Sequence, residues 1–429
     1  MSDTIPRIIN DYRLNKFVIH IEYQDGWVLY NTASGSIVFI LNEEDLRGSL
    51  DDLIKMYYYV PISFDEVSHV DKLREQKNSA TQKGPLNGFT ILTTMDCNAR
   101  CFYCYEKGQP RVSMSEKVAK DVADYIQKYA SSADISIRWF GGEPLVNSAA
   151  IDIICNSLIA DGIRFKSSMI SNGLLFSDSI IQTAKSLWNL NRVQISLDGT
   201  KDLYQKAKAY KNAVGNEFER VIENMHKLVD SGIRVSIRLN QDLYNTDDLF
   251  DLVDLLSAQF KGEKHVSVYN NLLYDDNTEI DQKLEAARYE KFKALQDKLA
   301  DSGLLSNKSL NDKLRFCHCM ADNNSSVVIT PNGRIGLCEH FLSDHLIGSI
   351  YESSFDSKEI QKWKETYPPT PKCFECPLYP QCVRIKMCPE EKEMCTFSQC
   401  ENKIELIKRA LLRKSHSAIV KGKYSITRT

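Results

Sequence analysis

The sequence predicts an α/β protein built around a parallel sheet or an incomplete (β/α)6 barrel. Three observations lead to this prediction. Strand-like and helical segments alternate six times between residues 86 and 302. Three short β-type runs precede them within residues 1–84, and nine of the thirteen cysteines lie within residues 317–400. Because 429 residues exceed the size of one ordinary hydrophobic core, we expect several domains.

The predicted domain boundaries follow these changes in pattern. We expect a small N-terminal α+β domain, a barrel, a cysteine-rich domain that is closed by a helix near Glu401–Leu412, and a short tail. The corresponding ranges are 1–84, 85–305, 306–415 and 416–429.

The N-terminal region has the pattern of a small α+β domain. Turn residues separate its three β-type runs, which are Lys16–Tyr23, Gly26–Asn31 and Ser36–Leu41. Helices are predicted near Glu43–Gly48 and Leu50–Tyr58. The polar stretch Arg74–Gly84 is interpreted as a linker.

Six apolar runs are the candidate strands of the barrel: Phe89–Thr94, Ile135–Phe140, Phe165–Ser171, Val193–Leu197, Val235–Leu239 and Val266–Tyr269. Helical stretches separate them, and the first is predicted to begin with a capping box formed by Ser113 and Glu116. Six β–α units in chain order favour parallel pairing. Active sites of such folds lie at the C-terminal ends of the strands, so we expect functional residues there.

Composition excludes several classes of protein. With 54 basic and 57 acidic residues the net charge is only −3, so a nucleic-acid partner is not expected. No run of eighteen apolar residues exists, and the polar start lacks the apolar core of a signal peptide, so we expect no membrane partner and a cytoplasmic location. Disulfides are rare in that compartment, and metal ligation is therefore the favoured use of thirteen cysteines.

Three cysteines form a compact motif directly after the first barrel strand. Cys97, Cys101 and Cys104 have the spacing C-x3-C-x2-C. Three thiolates on one loop can hold three irons of a [4Fe–4S] cube and leave the fourth iron open for a ligand. Zinc is the alternative, but a structural zinc site needs a fourth ligand and none lies nearby in the sequence.

This motif, with an aromatic residue before its last cysteine, resembles the radical SAM superfamily. The resemblance implies a partial (β/α)6 TIM barrel in which S-adenosylmethionine (SAM) chelates the open iron through its amino and carboxylate groups. An electron from the reduced cluster then splits SAM into methionine and a 5′-deoxyadenosyl radical. It also implies an external one-electron reductant of the flavodoxin or ferredoxin type as a partner.

Further motifs at successive strand ends extend the resemblance to the SAM-binding residues. Gly141-Gly142-Glu143-Pro144 resembles the GGEP element, whose backbone and glutamate meet the methionyl amino group. Glycines allow the backbone to approach a ligand closely, and a carboxylate pairs with an ammonium group. The other matching positions are Ser171 and Asn172 of the ribose-contacting S/T-N-G, Ser196 and Asp198 of S-L-D-G, Arg238 for the SAM carboxylate and Tyr103 near the adenine.

The cysteine-rich region resembles a SPASM domain, which binds two further [4Fe–4S] clusters and brings the expected total to three. Thirteen residues separate Cys319 from Gly333, and four more precede Cys338, as the SPASM pattern requires. One departure occurs where five residues, instead of three, separate Cys382 from Cys388, and Lys386 occupies the expected position.

The resemblance also implies how these cysteines divide between the two auxiliary clusters. The nearer cluster would take Cys319, Cys338 and Cys388, with Cys317 as a candidate fourth ligand. The farther cluster would take Cys373, Cys376 and Cys382, completed by Cys400 or Cys395. A zinc ribbon is the alternative for the C-x2-C pair.

The proposed substrate is a ribosomally synthesised precursor peptide. Peptide-modifying radical SAM enzymes often carry an N-terminal domain that docks the leader by adding a strand to a sheet edge. A plain packing role for residues 1–84 is the alternative. Glu339 directly follows Cys338. In sulfatase-maturing relatives an acidic residue follows the matching cysteine, and Glu339 is therefore the candidate general base. The alternative interpretation is that Glu339 is a surface carboxylate.

The expected reaction is hydrogen abstraction from a peptide carbon followed by oxidative cross-linking, with a thioether as the candidate bond. Two alternatives remain. One is maturation of an anaerobic sulfatase, which oxidises a cysteine or serine to formylglycine. The other, from a different class, is a non-catalytic iron–sulfur electron carrier, although a carrier would not need the SAM-contacting motifs.

Overall fold

The structure is a computed structural model, and its described residues form two compact units. The first unit contains the described parts of 1–82, 307–319 and 364–429, and the second contains those of 83–306 and 320–363. The described residues are 5–81, 86–130, 134–273, 282–305, 319–321, 323, 325–340, 343–382, 385–388 and 397–420.

Two small antiparallel sheets form the N-terminal part of the first unit. One has the order β1-β2-β6 and the other the order β3-β4-β5. The three predicted β-type runs are confirmed as β3, β4 and β5. The strands are β1 (Ile8–Ile9), β2 (Tyr12–Leu14), β3 (Val18–Tyr23), β4 (Gly26–Asn31), β5 (Ile37–Ile40) and β6 (Tyr59–Pro61).

Strand β4 is buried along its whole length because both of its faces are covered. Trp27 and Leu29 belong to a core that also contains Leu53. Val28 and Tyr30 point to the opposite face, as the alternation of a strand requires, and pack in a cluster with residues of the C-terminal helix.

The helices of this part are α1 (Glu43–Gly48), α2 (Leu50–Lys55) and α3 (Glu66–Thr81). The predicted linker over 74–84 is wrong as far as Thr81, because α3 continues to that residue. Residues 66–81 contain neither glycine nor proline and are rich in residues that tolerate a helix. The Arg74 guanidinium lies over the Tyr379 ring, 4.5 Å from its centroid, and so anchors this polar helix.

The second unit is an α/β fold with a large sheet. Its helices are α4 (Glu116–Tyr129), α5 (Ser148–Ala160), α6 (Asp178–Ser186), α7 (Lys201–Lys208), α8 (Glu217–Asp230), α9 (Thr246–Phe260), α10 (Gln282–Asp301) and α11 (Ser357–Lys364). Its strands are β7 (Gly88–Thr94), β8 (Ile135–Gly141), β9 (Phe165–Ser171), β10 (Leu190–Leu197), β11 (Arg234–Gln241), β12 (Val266–Leu272), β13 (Ser326–Ile329), β14 (Arg334–Gly336) and β15 (Gly348–Ser349).

All six predicted barrel strands are confirmed, and β7 to β12 pair in parallel in chain order. Beyond β7 the sheet gains β13 in parallel and then β14 and β15 antiparallel, so that it has nine strands among the described residues. One face is apolar and fully buried, as Val193, Ile195 and Leu197 of β10 show.

The predicted cap of α4 is wrong by two residues. Ser115 is the N-cap, and its side chain accepts a hydrogen bond from the Val118 N–H. Ser113 instead lies 2.7 Å from the Thr94 hydroxyl, which joins it to the end of β7. Cap geometry requires extended backbone at the cap position, which spacing alone does not fix.

The C-terminal part of the first unit contains two short 3₁₀ helices, Pro371–Glu375 and Tyr379–Gln381, and the long helix α12 (Phe397–Val420). The predicted final helix is confirmed but is longer at both ends. Leu411 of α12 packs in the cluster that covers β3 and β4. Across the described part of the chain, no helix combines the length and apolar character needed to cross a membrane.

Candidate active site

The C-x3-C-x2-C loop leaves the end of β7 and is held there by its own backbone. The Asp96 N–H donates to the Thr94 hydroxyl at 2.9 Å, and the Cys97 N–H donates to the Asp96 carboxylate at 2.9 Å. The Arg100 side chain donates to the Cys97 carbonyl at 2.7 Å. These bonds fix a tight turn in which the three thiols lie on one short loop.

The end of helix α7 braces the same loop from the other side. The Arg100 N–H donates to the Lys208 carbonyl at 2.8 Å, and the Lys211 N–H donates to the Asn98 carbonyl at 2.7 Å. The Lys211 ammonium also pairs with the Asp96 carboxylate at 3.1 Å. Residues after the fourth parallel strand therefore determine the position of the cysteines.

The three thiols are half-buried. Burial, reinforced by the Glu143 carboxylate and the other two thiols, raises the pKa of Cys97 to about 12, and burial also raises the pKa of Cys104. Among the described residues, no three histidine, cysteine, aspartate or glutamate side chains converge on a point that would hold a single metal ion. The three thiolates of one loop can bind three separate irons of a [4Fe–4S] cube.

The glycine pair after β8 is packed against the cysteine loop. A Cβ at Gly141 would overlap the Thr94 carbonyl, and a Cβ at Gly142 would overlap the Asp96 carbonyl. Gly141 also has a positive φ of 119°. The close approach that requires glycine is therefore to the protein's own backbone, in addition to any ligand.

The carboxylate of Glu143 is fully buried between neighbouring strand ends. It accepts hydrogen bonds from the Ser171 hydroxyl at 2.9 Å and from the Asn172 N–H at 2.8 Å. Burial raises the pKa of Glu143 to about 7, although these donors oppose the shift. The Asn172 amide reaches the Asn98 side chain at 2.7 Å, and so the second and third strand ends meet the cysteine loop.

A buried ion pair links the remaining strand ends. The Lys208 ammonium lies 3.0 Å from the Asp198 carboxylate, and both side chains are less than 5% exposed. Lys208 also donates to the Ser196 hydroxyl at 2.7 Å and to the Tyr103 hydroxyl at 3.0 Å. Burial acts to lower the pKa of Lys208, but the combined attraction of Asp198, Tyr103, Cys101 and Tyr204 exceeds this effect and the pKa is raised.

Two residues of β11 complete this surface. The Asn240 amide donates to Asp198 at 2.9 Å and to the Tyr103 hydroxyl at 3.1 Å. Arg238 lies level with Ser196 on β10, and its Nε is buried without a hydrogen-bond partner in the described part of the chain. A buried cationic donor that lacks a partner is suited to an anionic ligand.

Comparison with known proteins agrees with this arrangement. Residues 91–256 match the Radical SAM superfamily. This chain is a radical SAM enzyme. It therefore uses a [4Fe–4S] cluster and SAM, and three thiols with an adjoining polar cradle fit that pair of cofactors. The site face of the sheet is defined here as the face that carries Ser196, Arg238 and Asn240.

The enzyme is similar in sequence to GTP 3′,8-cyclases. It is 26% identical to the GTP 3′,8-cyclase of Clostridium perfringens (strain SM101 / Type A) over 270 residues, which cover 58% of this chain and 80% of the relative. It is 30% identical to a probable GTP 3′,8-cyclase of Methanopyrus kandleri over 175 residues, or 38% of this chain and 53% of that relative.

Solved structures share its fold over a larger part of the chain. Native anSMEcpe with bound AdoMet and the Cp18Cys peptide matches with a TM-score of 0.57 at 16% identity, covering 77% of this chain and 99% of that one. Streptococcus suis SuiB bound to the precursor peptide SuiA matches with a TM-score of 0.50 at 13% identity, covering 86% and 94%. At these identities the likeness concerns the fold alone.

The Cys338-Glu339-His340 segment lies beside the end of the cysteine loop. The rings of His340 and Tyr105 stack with centroids 4.4 Å apart. Burial raises the pKa of Tyr105, and Glu339 and Cys338 are among the groups that raise it further. Glu339 is thus near the residues that follow the cluster-binding thiols.

The cysteines of the first unit include a close pair. A hydrogen bond from the Cys400 thiol lowers the pKa of Cys376 to about 6. Cys373 lies in the preceding turn, where the Thr370 N–H donates to its sulfur at 3.3 Å. The Cys400 thiol, in the first turn of α12, therefore contacts the C-x2-C turn, as expected if Cys400 belongs with that set.

The other predicted cysteine ligands are distributed over the chain. Cys319, Cys382 and Cys388 belong to the first unit, and Cys338 belongs to the second. Cys317 and Cys395 lie outside the described residues. The remaining thiol, Cys155, is buried on α5, as expected for a packing residue.

Sequence reasoning missed several residues of the site. Lys208, Lys211 and Asn240 hold the cysteine loop and Tyr103, and Glu106 is a partly buried carboxylate whose pKa burial raises to about 7. Nothing in a lysine-containing helix end marks Lys208 as buried, since lysines there are usually solvated. The sequence signal that could have identified Lys208 as a site residue is its position at the end of the helix that follows the S-L-D-G motif.

Proposed function

We propose that this radical SAM enzyme modifies a ribosomally made precursor peptide by hydrogen abstraction and oxidative cross-linking. The observation that carries the proposal is the fold likeness to enzymes solved with peptides, which extends over 77–86% of the chain. That range exceeds the 58% that aligns with the GTP 3′,8-cyclase of Clostridium perfringens.

The chain's own residues supply a binding surface for SAM. Arg238 offers an unpartnered donor for the SAM carboxylate, and the Glu143 region with Ser171 and Asn172 shapes the pocket for its amino group and ribose. Lys208, Asp198 and Asn240 orient Tyr103, the candidate neighbour of the adenine. When bound and reductively cleaved, SAM supplies the radical that takes a hydrogen atom from the substrate.

The product of the proposed reaction has two hydrogens fewer than the peptide. One leaves as a hydrogen atom, and the second leaves as a proton and an electron when the new bond forms. We propose that Glu339 accepts that proton from a substrate thiol and that an auxiliary cluster accepts the electron. The candidate bond is a thioether between a cysteine sulfur and a carbon.

The late cysteines support two auxiliary clusters in this proposal. The Cys376–Cys400 contact supports assignment of Cys400, with Cys373 and Cys382, to the farther one. Cys338, Cys319, Cys388 and Cys317 would serve the nearer one, and Cys395 would be spare. An external one-electron reductant would supply the electron that cleaves SAM, and the electron accepted by the auxiliary cluster would return to the oxidised reductant, so that the electrons balance.

The N-terminal part of the first unit is proposed to dock the leader. Within the described residues, β5 has one strand neighbour, β4, so its other edge has backbone groups available for an added strand. Leu41, which directly follows β5, is 52% exposed and would contribute an apolar contact for the leader.

Mass spectrometry of a candidate precursor peptide, co-expressed with the enzyme without oxygen, tests the proposal. A loss of two hydrogens per site is expected, and fragmentation would locate the bond. The Cys97→Ala variant should abolish both this change and 5′-deoxyadenosine. A product that reacts with a hydrazide would indicate an aldehyde and sulfatase-type maturation instead.

A second candidate function is cyclisation of GTP, which the sequence similarity to GTP 3′,8-cyclases favours. The two functions are distinguished by incubating the reduced enzyme and SAM with GTP alone. Consumption of GTP with matching formation of 5′-deoxyadenosine would support the cyclase and contradict peptide modification. Unchanged GTP, together with a modified peptide, would eliminate the second candidate.

A further inference from the structure

Three arginines lie in one register row across the central sheet. Arg138 on β8 is level with Ser168 on β9, Ser168 is level with Arg192 on β10, and Arg192 is level with Arg234 on β11. We call Arg138, Arg192 and Arg234 the arginine row. Adjacent strands are about 4.8 Å apart, so the row extends about 14 Å across the sheet.

The arginine row lies on the site face. Side chains alternate along a strand, so Arg192 shares the face of Ser196, and Arg234 shares the face of Arg238. A contact verifies this orientation, because the Arg192 guanidinium donates to the Ser236 hydroxyl at 2.9 Å.

The charge of the row is not compensated by carboxylates close to Arg192. Burial lowers the pKa of Arg192, and the nearby Arg234 and Arg138 lower it further. Within the described residues, the one opposing group is the Tyr269 phenol, which is not a carboxylate. Because guanidinium groups stay charged at physiological pH, the three positive charges repel one another unless an anion lies between them.

The path from the row to the SAM site is lined by two different surfaces. Leu92, Phe140 and Val328 form an apolar cluster on one part of the site face. The other part of the site face is polar. There the Tyr269 hydroxyl donates to the Gln194 side chain at 2.8 Å, and Gln194 is the next residue after Arg192 on this face of β10. Ser196 lies four positions beyond Arg192 on β10, or about 13 Å along the strand.

We propose that the arginine row binds carboxylates of the peptide substrate. It would hold an acidic segment nearer the N-terminal ends of the strands than the reaction site. The inference rests on the proposed function for the identity of the substrate. The arginine row is about 14 Å wide, which equals about four residues of an extended peptide and suits carboxylates spaced along a chain. Arginine is also the side chain best matched to bidentate carboxylate recognition.

Calorimetric binding to the SAM-loaded, anaerobic holoenzyme tests the inference. The probes are N-acetylated, C-amidated tetraglutamate and the matched tetraglutamine, at about 50 mM salt so that screening does not hide the contact. The variants are Arg138→Gln/Arg234→Gln, whose residues are exposed, and Arg192→Gln. Arg220→Gln, on helix α8, removes one positive charge from an exposed site, as Arg192→Gln removes one from the row, and is the control.

Tetraglutamate should bind the wild type and the Arg220→Gln control equally, with about tenfold or greater weakening in both row variants. Tetraglutamine should not bind, and 5′-deoxyadenosine formed without substrate should stay unchanged, which verifies the SAM site. Equal weakening by the control, or GTP binding to the row more tightly than tetraglutamate, would overturn the inference. If peptide modification fails while row-dependent binding persists, the proposed function fails and the anion site stands.

Discussion

Replacement of Lys208 by methionine tests whether the buried ion pair organises the SAM site. The variant keeps the length of the side chain but leaves Asp198 buried with Asn240 as its remaining amide donor. Removing one partner of a buried pair costs about 3–5 kcal/mol. In a unit of this size, that cost lowers the melting temperature by on the order of 10 °C.

The matched control is Lys211→Met, which removes the same charge from a half-exposed pair with Asp96. Surface pairs contribute about 0–1 kcal/mol, so its melting temperature should change by a few degrees at most. Both variants would be compared anaerobically by differential scanning calorimetry, with 5′-deoxyadenosine formation measured in parallel.

We expect Lys208→Met to lose at least 90% of 5′-deoxyadenosine formation, since Tyr103 and Ser196 lose their shared donor. Adding Asp198→Asn should restore much of the stability, because the uncompensated charge is removed, but not the activity. Equal melting temperatures for the Lys208 and Lys211 variants, together with wild-type SAM cleavage, would refute the reasoning.

Three further changes test other parts of the site. Because the pKa of Glu143 is raised in the folded state, the unfolded state loses this proton first as the pH rises, and the free energy of unfolding should fall by about 3 kcal/mol between about pH 4.5 and 7. Glu143→Gln should remove this pH dependence when unfolding is measured at pH 5 and pH 8. An identical pH dependence in the variant would contradict the assignment. Gly142→Ala should displace the cysteine loop and lower the iron content by about four per chain, whereas Gly48→Ala, where a Cβ meets nothing within 4 Å, should leave it unchanged. Cys400→Ala should remove about four of about twelve irons, while Cys155→Ala should remove none; full iron content in the Cys400 variant would exclude it as a ligand.

The cysteine loop shows how much of the site could be predicted from the sequence. The spacing of Cys97, Cys101 and Cys104 is a local property, because neighbouring residues on a tight loop must remain close in space. The strands that carry the other motifs were also predictable, since their apolar runs and turn residues are local signals. Their parallel order then placed the motifs at one edge of the sheet.

The first unit shows where local signals were insufficient. The polar stretch after Arg74 resembles a linker in composition, yet it is helical as far as Thr81 because it packs against Tyr379, more than three hundred residues away in the chain. The contact of Cys376 with Cys400 likewise depends on where α12 begins. Cysteine spacing left Cys395 and Cys400 equivalent.

The sequence by itself determined the chemistry of this enzyme, because its cluster loop and strand-end motifs consist of neighbouring residues. The tertiary structure decided which charges are buried and which are left without partners. Lys208 is an ordinary lysine in the sequence, and the arginine row exists only because β8, β10 and β11 are aligned in register. Burial and electrostatic proximity depend on contacts between distant segments, and no short stretch of sequence contains them.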